Sequence, residues 1–320
     1  MLRRLREFPF WHELVLLALL IGLLVYARIT QPRFLSANAQ VEFASQVWEL
    51  ALLTLPMTLI IITAGIDLSV GSTMALSAVA LGLSWRAGAP LPVACLIALA
   101  TGALAGLLNG VLIAFVRVHP LIVTLATLSA YRGLAEGISH AEPISGYPPA
   151  FASIIVGNVG GVSLLPTPGV LFLLAAIVTA VVLIKTPFGR SLYAMGFNEN
   201  ACRFSGIPTH RLKLTIYMLA GFTAAVAAIL FVARRNTAKA DIGTGMELDV
   251  ITAVVLGGTS IFGGRGRIIG TVLGVLVIHE TKQFVSWRWD NDVLIYIVVG
   301  FLLILSVLLN TLVSPRGRES

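Results

Sequence analysis

Two histidine–glutamate pairs, His12-Glu13 and His279-Glu280, open as a zinc-hydrolase helix motif does, a metal ligand beside a carboxylate base. Leu16 and Gln283 stand where the second histidine would complete each ligand pair. Gly258 to Arg265 has the glycines of a phosphate-cradling loop but not the lysine followed by Ser or Thr that would reach the phosphates. No Gly-x-Ser-x-Gly elbow occurs. Cys95 lies in an apolar run and Cys202 in a basic segment, so the pair gives neither a disulfide framework nor a metal spacing. The polar side chains that remain lie within apolar stretches or at their ends and turns: Asp67, Ser69, Asn109, Arg132, Glu136, Glu247, Thr259 and Ser260. An unsatisfied polar group in hydrocarbon costs several kcal/mol, so each must face protein or water. They make up no compact catalytic set, and the expectation is no catalytic, cofactor or metal site.

The surrounding chain explains why. Hydrophobic residues make up 57% of its 320 positions and charged residues 12%, with a mean hydropathy of +0.93. That is too little polar surface for a soluble globule. The net charge of +7 is dispersed over short loops rather than clustered, which marks topology and speaks against nucleic-acid binding. The start of the chain is charged and then apolar like a signal peptide. No small-x-small cleavage pattern follows promptly, so an uncleaved first span is expected.

Counting apolar runs long enough to cross a bilayer predicts an all-α, polytopic membrane protein with about ten spans, some broken. The whole of 1–320 reads as one transmembrane domain. Arg3, Arg4 and Arg6, with Arg316 and Arg318, place both termini on the cytoplasmic side. Arg234, Arg235 and Lys239 then fall in an outer loop and are the chief departure from the positive-inside pattern. The main external loop, 139–168, is rich in Gly and Pro and is expected to serve as a gate, a surface for a delivering partner, or an element at the lipid interface.

Several polar positions admit two roles. Asp67 or Ser69 caps the helix that follows them, or packs beside a pathway. Asn109, among the small residues Gly102, Ala105, Gly106 and Gly110, serves as interhelical glue or touches substrate. Arg132 and Glu136, four apart on one helix face, can pair with each other, line a path, or snorkel towards the headgroups. Val250 to Phe262 amounts to roughly 20 Å of helix, short of a bilayer of about 30 Å, and should be a half-length or broken element. Its glycines Gly257 and Gly258, with Thr259 and Ser260, either form a gate or pack helices tightly.

The most basic interior segment, Lys185 to Lys213, carries Lys185, Arg190, Arg203, Arg211 and Lys213 against Glu199. It should lie on the cytoplasmic side. Gly189 and Gly196 are expected to break the preceding helix, Asn198 or Glu199 to cap a new short one, and Gly206-Ile207-Pro208 to end it. A short amphipathic helix of this kind is suited to plug a groove in another protein.

Gly189, Arg190, Tyr193, Ala194, Gly196, Asn198, Glu199, Ala201, Arg203, Ser205, Gly206 and Ile207 resemble the docking loop in membrane subunits of ATP-driven (ABC) importers for ribose, related sugars and autoinducer-2. Two further stretches are similar to the same permease family. One is Ile62 to Ser72, with Ala64 in place of a usual glycine. The other runs from Gly243 through Glu247 and Gly257-Gly258-Thr259-Ser260 to Gly264. Phe197, Asn200 and Cys202 depart from the docking pattern.

The resemblance implies a bacterial inner-membrane permease translocating a sugar or sugar-like molecule of the ribose, rhamnose, xylose or autoinducer-2 class. It implies a second permease subunit, an ABC-type ATPase that carries the ATP and magnesium, an extracytoplasmic sugar-binding protein and surrounding lipid. The segment 185–213 would be the coupling helix. An ion-coupled secondary transporter is the alternative; it would need charges in mid-span, whereas the carboxylates here cluster at span ends and turns.

Overall fold

The computed structural model describes residues 10–157, 166–289 and 292–313. Arg3, Arg4, Arg6, Arg316 and Arg318, the external-loop residues 158–165, and Asp290-Asn291 lie outside the described residues.

The chain is helical as its apolar runs require. In order come α1 (Trp11–Thr30), α2 (Ala37–Ala44), α3 (Trp48–Ile62), α4 (Val70–Arg86), α5 (Leu91–Ala114), α6 (Pro120–Ser139), α7 (Pro149–Ile155), α8 (Thr167–Lys185), α9 (Pro187–Phe197), α10 (Glu199–Phe204), α11 (Thr209–Arg235), α12 (Met246–Leu256), α13 (Ile268–Trp289) and α14 (Asp292–Val313). By length and composition α1, α5, α8, α11 and α13 can each cross a membrane, and α2 with α3, bent by 50°, makes a sixth candidate. Of the other apolar runs, α4 and α12 are shorter and α6 is less apolar, while α14 is a strongly apolar helix of 22 residues. A short element was expected over Val250 to Phe262; the helix found, α12, is also short, 11 residues, but runs from Met246 to Leu256 because Gly257 and Gly258 end it.

Burial sorts the helices. Nearly every residue of α3 is buried, as befits a helix apolar all round, whereas α1, α5 and α8 turn rows of large apolar side chains outward. The most extensive helix contact joins α5 to α11. The small residues read from the sequence make it possible: a Cβ at Gly102 would lie 2.3 Å from the Gly221 carbonyl oxygen, and one at Gly106 would lie 2.2 Å from that of Tyr217. The backbones touch there, so any side chain would force the helices apart.

The chain also makes a short antiparallel ribbon that alternation does not reveal, β1 (Ile144–Ser145) against β2 (Thr237–Ala238). It ties the segment after α6 to the turn after α11. Tyr147 stacks on Trp85, its ring 5.9 Å away, and its N–H donates to Asn236 Oδ1 at 2.9 Å. Nearby, Arg234 gives two hydrogen bonds to the buried Glu49, at 3.0 and 2.8 Å. The departure from the positive-inside pattern thus has a partner: Arg234 joins the ends of α3 and α11.

Candidate functional site

Two helix breaks and the basic segment meet in one place. The first break, residues 63–69, separates α3 from α4. The helix α3 ends by folding back on itself, with the Ala64 and Gly65 N–H groups donating to the Ile61 and Ile60 carbonyls. That stop requires a left-handed residue, and Ala64 supplies it at φ +59°. Asp67 then closes the turn into α4. Its Oδ1 accepts from the Ser69 N–H at 2.8 Å and from the Ser69 hydroxyl at 2.6 Å. Ser69 is the residue at the head of α4, but its side chain caps nothing; the capping acceptor is Asp67.

From there a buried chain of hydrogen bonds crosses three helices. Asn109 Nδ2 donates to Ser69 Oγ at 2.8 Å, and the Tyr131 hydroxyl shares its one hydrogen between the Ala105 carbonyl at 2.9 Å and Asn109 Oδ1 at 3.2 Å. Asp67, Ser69 and Asn109, far apart in sequence, form one network, in which Asn109 acts as interhelical glue. Tyr131 completes it and gave no separate signal, since an aromatic in an apolar run reads as core.

The second break, residues 257–267, separates α12 from α13 and ends its helix with the same stop. The Gly258 and Thr259 N–H groups donate to the Val255 and Val254 carbonyls, and Gly258 sits at φ +88°. Here backbone packs closely on backbone, and the side chains that reach in come from other helices. A Cβ at Gly257 would lie 2.6 Å from Gly270 carbonyl atoms, and one at Gly258 would lie 2.5 Å from the His12 ring. Ser260, buried with Thr259, accepts from the Gly263 N–H through its carbonyl. His12 itself bonds the Leu256 carbonyl at 2.8 Å.

Three candidates lie elsewhere. Arg132 and Glu136 do not pair. The Arg132 guanidinium donates to the carbonyls of Ala240 and Ile242, the second at 2.7 Å, while Glu136 is exposed. Two converging carbonyls in the loop that follows β2 offer a desolvated cation better geometry than a carboxylate out in solvent. Glu247 stands against Gly71 at the head of α4, where the Gly243 carbonyl also presses in.

The basic segment is two helices. Thr186 starts α9 by accepting from the Gly189 N–H at 3.2 Å, ahead of Pro187. Asn198 starts α10 by accepting from the Ala201 N–H at 2.9 Å. Ser205, Gly206 and Ile207 stop it, with Gly206 at φ +79° and the Ile207 N–H returning to the Cys202 carbonyl. Gly189 and Gly196, expected as helix breakers, lie inside α9. They are glycine because of what they touch: a Cβ at Gly196 would fall 1.9 Å from the Ile62 carbonyl oxygen and 2.2 Å from the Gly264 nitrogen. Gly196 therefore rests on both breaks at once. Ile62 and Gly264 are themselves hydrogen-bonded at 2.8 Å, and Tyr193 donates to the Gly266 carbonyl at 2.8 Å.

Glu199 is held by Lys213 at 2.6 Å and Arg203 at 2.8 Å. Burial pushes its carboxyl up, but the hydrogen bonds and charges of Lys213 and Arg203 outweigh that and hold it below the usual carboxylate range. Arg190, Ala201 and Ser205 are exposed, and Phe204 is 94% exposed. Cys202 is instead buried in the core.

The family model for the permease component of branched-chain amino acid transport systems matches residues 40–307. The chain is also similar to the autoinducer 2 import system permease proteins LsrD of Escherichia coli (strain K12), Escherichia coli O157:H7 and Shigella flexneri. It is 37% identical to each over 303 residues, which cover 90% of this chain and 91% of each relative. No solved structure matches significantly. The resemblance carried by the three motifs, to sugar and autoinducer-2 importer permeases, is confirmed. The chain belongs to the branched-chain amino acid transport system permease family and is an inner-membrane permease of an ATP-binding-cassette importer.

Proposed function

We propose that this chain is the translocating subunit of an importer for a sugar or sugar-like molecule. The relatives' names favour autoinducer-2 within that class. In this reading 1–320 is one transmembrane domain of about ten spans, α12 among the half-length ones. Both termini and the segment 185–213 face the cytoplasm. A second permease subunit, like or unlike, completes the pathway. ATP and magnesium are held by a separate ATPase, and an extracytoplasmic binding protein delivers the substrate.

The observation that carries the reading is the position of the basic segment. Its outer face offers Phe204, almost fully exposed on a short helix stopped at both ends, as a knob for a groove. Its inner face touches both helix breaks through Gly196. Closure of the ATPase subunits would push on α10, and α9 would pass that displacement to the ends of α3 and α12, where the backbone already departs from helix. The buried Asp67–Ser69–Asn109–Tyr131 network would keep α4, α5 and α6 moving as a unit.

Phe204→Asp tests this with little risk to the fold, because the side chain packs on nothing it would leave empty. The expected outcome is correct insertion with a loss of at least about tenfold in ATP-driven uptake and in co-purification of the ATPase, a hot-spot aromatic being worth about 2 kcal/mol. Unchanged uptake and unchanged assembly would overturn the docking assignment.

A further inference from the structure

The second break carries a tip that points away from the chain. Phe262 is 69% exposed there, and Arg265 beside it is exposed too. The backbone beneath them is closely tied. The Gly263 N–H donates to the Ser260 carbonyl at 2.9 Å, the Ser260 N–H donates to the Arg265 carbonyl at 3.0 Å, and Gly263 and Gly264 turn the chain at φ +84° and +74°. A turn held in this way keeps its phenylalanine outward and forgoes the burial of the ring. Nor does Phe262 belong to a row of lipid-facing side chains. The helix that leads into the tip, α12, is buried from Val250 to Leu256, whereas α1, α5 and α8 turn large apolar side chains outward along their length.

The tip is continuous with the basic segment. Tyr193 on α9 holds the Gly266 carbonyl, and a Cβ at Gly264 would meet the Phe197 ring at 3.0 Å. Phe197 is itself 69% exposed and ends α9 one residue before Asn198 caps α10. Exposed rings therefore stand on α10 at Phe204, at the end of α9 and at the tip of the break, with the exposed guanidinium groups of Arg190 and Arg265 on the same segments. Aromatic residues and arginine are the types enriched where one protein seats on another. Arg265 asks for a carboxylate opposite it, and Phe262 for an apolar recess.

We propose that the tip of the second break is a docking surface for the ATPase subunit in its own right, with Phe262 as the anchor and Arg265 as the cation facing an acidic rim. The inference rests on the docking reading above and extends it. The subunit that seats α10 then touches the permease at two places, and the second lies directly on the turn between α12 and α13. Displacement reaches that turn without passing through α9, while the break at 63–69 is reached only through Gly196.

The test uses the assembled importer in proteoliposomes, with the photocrosslinker p-benzoylphenylalanine replacing Phe262 in one preparation and Phe204 in another. Both positions are expected to crosslink to the ATPase subunit on irradiation. If position 204 reaches the ATPase while position 262 reaches only lipid or this chain, the second contact is overturned and the docking reading stands. If neither reaches it, both are overturned. Position 262 reaching the ATPase while position 204 does not would keep the tip as a docking surface and remove α10 from it. Affinity supplies a second readout. With Phe204 intact, Phe262→Asp should weaken binding of the ATPase subunit about tenfold and Phe262→Trp, which keeps an aromatic anchor, should restore it. Arg265→Glu should weaken it more at low salt than at high salt, as a charge at an interface does. Parent affinity in a monodisperse Phe262→Asp permease, or a Phe262→Trp as weak as Phe262→Asp, would overturn the anchor.

Discussion

The two helix breaks end their helices in the same way and hold their neighbours by different means. At 63–69 the left-handed position is Ala64, and the turn is secured by side chains, Asp67 to Ser69 to Asn109 to Tyr131. At 257–267 the left-handed position is Gly258, and backbone packs on backbone through Gly257, Gly270 and Gly274, the side chains of His12 and Tyr193 reaching in only to the Leu256 and Gly266 carbonyls. A side-chain network specifies one arrangement, because a half-satisfied buried network is costly. Glycine contacts specify closeness but permit sliding, since dispersion between backbones has no single register. The first break is therefore the anchored one and the second the adjustable one, and α9 bears on both.

The largest effect should come from filling the second break. Gly258→Ala must both adopt φ near +88° and push the His12 ring, against which its Cβ would sit at 2.5 Å. A loss of about 3 kcal/mol is expected from strain plus overpacking, read as a lower unfolding midpoint in detergent. An unchanged midpoint would mean that this break is looser than its contacts imply. Asp67→Ala should cost about 2 kcal/mol, because it strands the buried Ser69 N–H and hydroxyl. A loss confined to a few tenths would remove the distinction between anchored and adjustable breaks.

Ala64→Gly should act in the opposite direction. It relieves a left-handed alanine and should raise stability by about 0.5–1 kcal/mol, checked by the same midpoint. A fall would mean that the methyl group has a packing role outweighing the backbone strain.

The smallest effect concerns the segment that touches both breaks. Because the Glu199 carboxyl lies lower in the folded chain than the ordinary value of 4.5, its pairs stabilise the fold above that pH. The contribution is lost as pH falls below it, through the folded value. Glu199→Gln should flatten that acid limb by under about 1 kcal/mol, the pairs being partly open to solvent. An acid limb of the same slope in the variant would assign the pH dependence elsewhere.

Much of this was legible in residue order. Apolar runs gave the helices, the 13 residues from Val250 to Phe262 gave a half-length element, and Asn198 and Gly206 gave the start and stop of α10. These are local matters, settled within a few residues by capping and by the length of a turn. The partner of Arg132 was not legible. Four-residue spacing offered Glu136, while the folded chain offered two carbonyls more than a hundred positions away.

The sequence by itself determined the class, the helices and their stops, because hydrophobic periodicity and capping act over one or two turns. Tertiary structure alone decided that Gly196 is a contact and not a breaker, that Asp67 and Asn109 share a network, and that Arg132 bonds two carbonyls rather than Glu136. Each depends on which backbone comes within a few ångströms, and that is fixed only when helices distant in sequence have packed.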